Sequence, residues 1–314
     1  MSKKIAFLFP GQGSQAVGMG RAAADRDPAA AALMSRADEV LGFPLSAMCF
    51  DGPEDDLKQT QNTQPALFAS SAATLEVLRK AGVAPFATAG HSLGEYTALY
   101  AAGVFSFDVG LQLVRTRGEA FARAGAARPG AMAAVLGLDG SAVEALCRDA
   151  STHGAIAVPA NFNDPAQTVI SGDPAAVEKA CEIAKERGAK RALMLPVSGA
   201  FHSPLVEPAR ETMATALDLA KAAFQTPNCH FVNNVAAEAL TETDAIVDSL
   251  VAQVTSAVRW VACVEKLQAL GAEAFIEVGS GKVLAGLCRR IAKDIPCHTT
   301  ESEASLEKTL SELT

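Results

Sequence analysis

The chain has 314 residues, 49% of them hydrophobic and 20% charged, with a formal net charge of −8. That length buries a substantial core, and the acidic balance excludes a general nucleic-acid footprint, so an acidic partner would need a local basic patch. The first apolar run, "IAFLF", stops at Pro10, too short for a secretion-signal core, and no later run is long enough to span a membrane.

In chain order, "KIAFLF" is a continuous apolar run of strand length, suited to a strand covered on both faces. The Ala-rich stretch Arg21–Leu41 reads as one helix. "PALFASSAATLEVLRKAG" (Pro65–Gly82) reads as another, with proline at its start and glycine at its end. "APFATAG" is a short strand leading into Ser92, after which Leu93, Tyr96, Leu99 and Tyr100 fall at helical spacing as far as Gly103. The rhythm then changes. "AMAAVLG", "SAVEALCRDAS", "AIAVPAN", "QTVISG", "PAAVEKACEIAKERG" and "KRALML" read as β-α-β-β-α-β, with "FNDP" as the turn between the middle strands. The first pattern resumes with a helix after Pro208, the strand "HFVNNV", a helical segment near Leu250–Leu270, the strand "AFIEVG" and a final helix.

The expected fold class is therefore α/β: an α/β-hydrolase-like large domain with a parallel sheet, carrying an inserted ferredoxin-like (βαββαβ) small domain. The expected boundaries are 1–127 and 198–314 for the large domain and 128–197 for the insertion. Seven cysteines are dispersed with no CxxC pair, the pattern of reduced thiols in a cytoplasmic protein. The five histidines stand apart and no HExxH occurs, so no metal centre is expected.

Two glycine-rich stretches imitate nucleotide motifs. "GQGSQA" (Gly11–Ala16) fits GxGxxG/A spacing, but Pro10 sits at the turn and an Ala-rich helix follows where an acid-ended strand belongs. In "VGSGKVL" (Val278–Leu284), Ile276 stands where a P-loop needs its first glycine and Val283 where it needs Ser or Thr, which leaves a strand-to-helix turn.

"GHSLG" (Gly90–Gly94) fits the nucleophile elbow G-x-S-x-G in the required strand–turn–helix setting. Small neighbours let Ser92 occupy a strained bend, and the helix that follows aims the Leu93 amide at a developing oxyanion. A serine at neutral pH needs a base. His91 adjoins it, but adjacency along a sharp turn sends the two side chains apart. His202, in the loop "SGAFHSP", follows the serine in the chain order of this fold class and is the better candidate. No acid partner is obvious, since Asp164 and Asp173 lie in turns of the insertion, and a backbone carbonyl is the alternative orienter. Taken alone, Arg117 reads as a solvated helix charge no better placed than Arg115.

Taken together, "FLFPGQGSQ", "GHSLGEYTAL", "VRTRGEAF", "NFNDPAQTVISG", "VSGAFHSPLVEPA", "QVTSAVRW" and "FIEVGSGKVLAGL" resemble, along essentially the whole chain, the malonyl-CoA:acyl carrier protein transacylases of bacterial type II fatty acid synthesis. Phe121 stands where that family often has methionine. The resemblance implies an [acyl-carrier-protein] S-malonyltransferase with Ser92 as nucleophile and His202 as base. It also implies Gln12 and Leu93 amides in the oxyanion hole, Arg117 on the malonyl carboxylate, Phe201 limiting acyl size, and the Gln253 carbonyl orienting the base. The implied partners are a coenzyme A thioester and acyl carrier protein, met by a cytoplasmic monomer, with no metal and no cofactor beyond malonyl-CoA as substrate. "KERGAKR" offers Lys185, Arg187, Lys190 and Arg191 as a docking patch or, equally, a solvated helix end. The competing readings are a serine hydrolase or thioesterase with the same elbow, an acyltransferase for a related acyl-CoA, and a non-catalytic acyl-sensing module.

Overall fold

Strand β1 (Ile5–Phe9) is buried along its whole length, and its side chains alternate between two cores. Ile5, Phe7 and Phe9 join one apolar cluster, while Ala6 and Leu8 join the cluster on the opposite face of the sheet. A continuous apolar run is what such a doubly covered strand requires. The computed structural model describes residues 3–197 and 199–313. The expected domain boundary at 198, like residues 1, 2 and 314, lies outside the described residues.

The other strands, in chain order, are β2 (Ala87–Gly90), β3 (Ala131–Leu136), β4 (Ala157–Asp164), β5 (Gln167–Gly172), β6 (Arg191–Met194), β7 (His230–Val232), β8 (Ala239–Leu240), β9 (Ala274–Glu277) and β10 (Cys297–Thr299). The larger sheet has the order β10-β9-β1-β2-β7-β8. All of its pairs are parallel except β7–β8. Phe9 is in register with Gly90, so β1 and β2 end side by side. The crevice beyond such strand ends is where open α/β sheets place their sites.

The smaller sheet is antiparallel with the order β4-β5-β3-β6, the ferredoxin-like arrangement. Helices Gly140–Ala150 and Pro174–Glu186 pack on one face through Val135, Leu146, Ile170 and Val177. Met132, Ala160 and Val169 form a separate apolar cluster on the other face.

Several elements differ from the sequence reading. The Ala-rich stretch is two helices, Arg21–Arg26 and Pro28–Leu41. Asp27 ends the first and caps the second, its carboxylate accepting the Ala29 N–H at 2.8 Å, while Pro28 occupies the first helical position. The next helix spans Thr60–Lys80, so Pro65 lies inside it and not at its start. Proline has no N–H to give the Gln61 carbonyl. Arg115 replaces that donor, its Nη1 reaching Gln61 O at 2.9 Å and Asn62 Oδ1 at 3.1 Å.

Strand β4 runs through "FND" as far as Asp164, with register shifts against β5, leaving a tighter turn than expected. The region near Leu250–Leu270 is two helices, Thr243–Gln253 and Trp260–Ala269. The interruption has a structural use: Val258 N–H donates to Ala160 O at 2.8 Å and Phe162 N–H donates to Val258 O at 2.9 Å, joining this loop to β4. Beyond the helix Val283–Ile291, the expected last one, lie β10 and a further helix, Glu303–Leu313. Among the described residues, no helix is long and apolar enough to cross a membrane.

Candidate active site

Ser92 stands between the end of β2 and the helix Gly94–Ala101 with φ of 52°, a left-handed conformation that a non-glycine residue holds only when its surroundings enforce it. Those surroundings are visible. A Cβ at Gly90 would meet the Gly94 carbonyl at 1.9 Å, and one at Gly94 would meet Phe9 O at 2.0 Å, so both positions of the elbow must be glycine. The Ser92 N–H donates to Asn234 Oδ1 at 2.8 Å, and the Ser92 carbonyl accepts from Gln253 Nε2 at 2.8 Å. The strained residue is held on both sides, through its own N–H and its own carbonyl.

His202 also has a positive φ, 58°, and is buried. Its Nε2 lies 2.7 Å from Ser92 Oγ, and its Nδ1 lies 3.0 Å from Gln253 O and 3.1 Å from Ser256 O. Carbonyls only accept, so the proton of neutral imidazole sits on Nδ1 and Nε2 is free to accept the Ser92 hydroxyl. Burial, followed by the nearby positive charge of Arg117, pushes His202 down to about 3, against smaller opposing pulls from the two carbonyls. It is a neutral base at ordinary pH. His91 turns away as expected, with Nε2 2.8 Å from Asn163 Oδ1 on β4.

Arg117, on the helix Phe107–Ala127, is 2% exposed. Its Nη2 donates to Ser92 Oγ at 3.1 Å and to Gln253 Oε1 at 2.9 Å; its Nη1 donates to Gln64 Oε1 at 2.9 Å. The guanidinium carbon lies 4.6 Å from the centre of the Phe121 ring. All the acceptors are neutral oxygens, and Nε has none. Among the described residues Arg117 makes no ion pair, whereas Arg115 is engaged with Glu119, Gln61 and Asn62. A buried guanidinium beside a serine hydroxyl, without an ion pair, has the chemistry to receive an anion.

Gln12 follows β1 in a loop that crosses the elbow, where Gly11 has room for no side chain against the His91 carbonyl. Neither the Gln12 nor the Leu93 backbone N–H finds an acceptor among the described residues, while the Gln12 side-chain amide donates to Thr60 Oγ1 at 3.3 Å. Phe201 packs edge-on against Phe121 with ring centres 4.9 Å apart. A cavity of about 280 Å³ takes Gln12, Ser92, Arg117, Phe201 and His202 into one wall, and Met132 and Val169 of the smaller sheet into the other.

The sequence reading named none of Gln64, Asn234 and Glu95, which support this arrangement. Asn234 lies two residues beyond the end of β7, a strand paired in parallel with β2, and that position was the available signal. Glu95 lies in the first turn of the helix Gly94–Ala101, where an acid complements the helix dipole. It is fully buried, with Oε2 accepting from Gln253 Nε2 at 2.7 Å and from the Asn234 N–H at 3.2 Å. Burial pushes its carboxyl up to about 8, against the pull of those two donors and of Arg117.

The acyl transferase domain family matches residues 6–306. The malonyl CoA-acyl carrier protein transacylase of Bacillus subtilis is 43% identical over 310 residues, covering 99% of this chain and 97% of the relative. That of Escherichia coli K12 is 42% identical, covering 98% and 99%. An acyl carrier protein S-malonyltransferase structure from Vibrio cholerae superposes with a TM-score of 0.93 at 45% identity, covering 98% of this chain and 100% of that one. A malonyl-transacylase solved in complex with its type II PKS acyl-carrier protein gives 0.94 at 39% identity, covering 99% and 100%. With a nucleophile elbow, a neutral base and an unpaired guanidinium meeting in one cavity, and likeness of this extent from end to end, the chain belongs to the acyl transferase domain family, among the malonyl CoA-acyl carrier protein transacylases.

Proposed function

We propose that the chain carries a malonyl group from malonyl-CoA to the phosphopantetheine thiol of acyl carrier protein, through a malonyl ester on Ser92. The observation that carries this reading is the unpaired, buried Arg117 guanidinium 3.1 Å from Ser92 Oγ, which fits an acyl group ending in a carboxylate.

Ser92 Oγ attacks the thioester carbonyl while its proton passes to His202 Nε2. The resulting oxyanion is taken by the Leu93 and Gln12 amides. Collapse expels the coenzyme A thiolate, which receives the proton from His202 and leaves. The carrier thiol then gives its proton to His202 and attacks the malonyl ester, and the departing Ser92 oxygen takes that proton back, so one thioester is exchanged for another. Gln253 orients His202 through its carbonyl, and Phe201 limits the acyl group in size. Malonyl-CoA acts as substrate, and no separate cofactor enters these steps. We take 128–197 as an inserted domain that closes the cavity from above. The seven free cysteines support a reducing, cytoplasmic setting.

Intact-mass spectrometry after brief exposure to malonyl-CoA tests the reading. The parent chain should gain one malonyl adduct, discharge it to acyl carrier protein and release little free malonate, whereas Ser92→Ala should gain none. An adduct retained by Ser92→Ala would remove the mechanism, and release of malonate as fast as transfer would make the chain a hydrolase.

A further inference from the structure

Glu95 touches neither Ser92 Oγ nor His202, yet it lies where the supports of the site meet. Its Oε2 accepts from Gln253 Nε2 at 2.7 Å, and the same nitrogen donates to the Ser92 carbonyl at 2.8 Å. The other end of that amide, Gln253 Oε1, accepts from Arg117 Nη2 at 2.9 Å. A glutamine amide can be turned over by a half rotation, exchanging its oxygen and its nitrogen. Turned over here, it would point a donor at the donor-only guanidinium and an oxygen at two accepting oxygens, the Ser92 carbonyl and Glu95 Oε2. Glu95 Oε2 also accepts the backbone N–H of Asn234, whose side chain holds the Ser92 N–H and the Gly90 carbonyl. One buried carboxyl thus anchors both the residue that fixes the guanidinium and the residue that fixes the strained serine.

We propose that Glu95 is a positioning residue for malonyl transfer: it holds the Gln253 amide with its oxygen toward Arg117, so that the guanidinium stays aimed at the acyl carboxylate beside Ser92. This rests on the reading of Arg117 given above. The amide needs an acceptor at Glu95 Oε2, which a glutamine can also provide. What it cannot tolerate is an apolar side chain, or a carboxyl one methylene too short to reach. Without the anchor Arg117 gains an alternative rotamer toward other oxygens, and misplacement of about 1 Å in such a group costs on the order of 100-fold.

The test compares acylation of Ser92 by malonyl-CoA and by acetyl-CoA in the parent, Glu95→Gln, Glu95→Leu and Glu95→Asp. Malonylation of the parent examines the reading of the site by itself, and the malonyl-over-acetyl ratio in the variants examines Glu95. Glu95→Leu should lower that ratio roughly 10- to 100-fold, whereas Glu95→Gln should keep it within about threefold of the parent. Glu95→Asp should fall with Glu95→Leu, and it carries the test if the leucine variant does not fold. In a Gln253→Leu background, adding Glu95→Leu should change the ratio by less than about twofold, because the route through the amide is already cut. A ratio unchanged in Glu95→Leu or Glu95→Asp, with both rates lowered alike, would overturn the proposal and leave Glu95 a packing residue. A loss in Glu95→Gln as large as in Glu95→Leu would also overturn it, as would full additivity with Gln253→Leu.

Discussion

Arg115 and Arg117 stand two positions apart on one helix, and nothing in their spacing distinguishes them. The environment does so: Arg115 supplies the hydrogen bond that Pro65 denies to Gln61, while Arg117 is buried with neutral acceptors only. Arg117→Ala should reduce acylation by malonyl-CoA on the order of 100-fold or more, the cost of removing one side of a buried charge pair. It should not reduce acylation by acetyl-CoA, which leaves the parent guanidinium desolvated and unpaired. Equal losses with both thioesters would make the role of Arg117 structural. His202 gives a second expectation. With its pKa pushed down to about 3, the free base persists through the range where ordinary imidazole protonates, so kcat/KM for acylation should lack a limb near 6.5. Rates that halve near that value would contradict a buried neutral base. The linkage has a definite sign: the unfolded histidine takes up a proton that the folded one refuses. Its support for the fold is present above about 6.5 and is lost as the pH falls toward 3. Ser92 and His202 could be named from the sequence because an elbow serine and a loop imidazole carry chemistry in their identity, and the structure brings them to 2.7 Å. Asn234, Gln64 and Glu95 were not, since amides and carboxylates at those spacings are common on any surface.

The elements were legible where one force decides them and misread where two compete. An unbroken apolar run leaves β1 no place but the middle of a covered sheet, and the alternation of patterns gave the inserted unit its strand order. Pro65 was read as a helix start because its missing N–H is harmless there. The helix begins at Thr60 because a side chain from another helix satisfies the carbonyl that proline abandons, a tertiary contact no local pattern reveals. Arg115→Ala should therefore cost about 1–3 kcal/mol by leaving that carbonyl unsatisfied. Thermal unfolding should show it as a midpoint lower by several degrees, with the malonyl-over-acetyl ratio unchanged. A changed ratio would mean that the helix carrying Gln64 had moved. The break between Gln253 and Trp260 was missed for a similar reason: its residues are apolar enough for a helix, but their backbone groups pair with β4 and with His202.

At the scale of the whole molecule, a net charge of −8 opposes the approach of any acidic partner unless a local patch steers it. Lys190 and Arg191, at the start of the edge strand β6, are exposed and make no ion pair among the described residues, whereas Arg187 is paired with Asp149. Of the four cations that the sequence offered, Lys190 and Arg191 are free for a partner at this strand, Lys185 is exposed on the preceding helix, and Arg187 is already paired. Reversing Lys190 and Arg191 to glutamate should raise the KM for carrier protein, most at low salt, and spare malonyl-CoA. Equal changes for both substrates would rule out docking there.

The histidine of this site is oriented by two carbonyl dipoles, and no carboxylate stands behind it. When it takes the serine proton, the imidazolium forms beside a guanidinium whose hydrogen-bond acceptors are all neutral. An acyl group that ends in a carboxylate changes this before the proton moves, because pairing with Arg117 cancels the cation against which the second one must appear. On the mechanism proposed above, the substrate would carry in the anion that the protein leaves out, and the far end of the malonyl group would speed the reaction at its near end. An uncharged acyl group of equal size would be slow even at saturation, its deficit appearing in kcat as well as in KM.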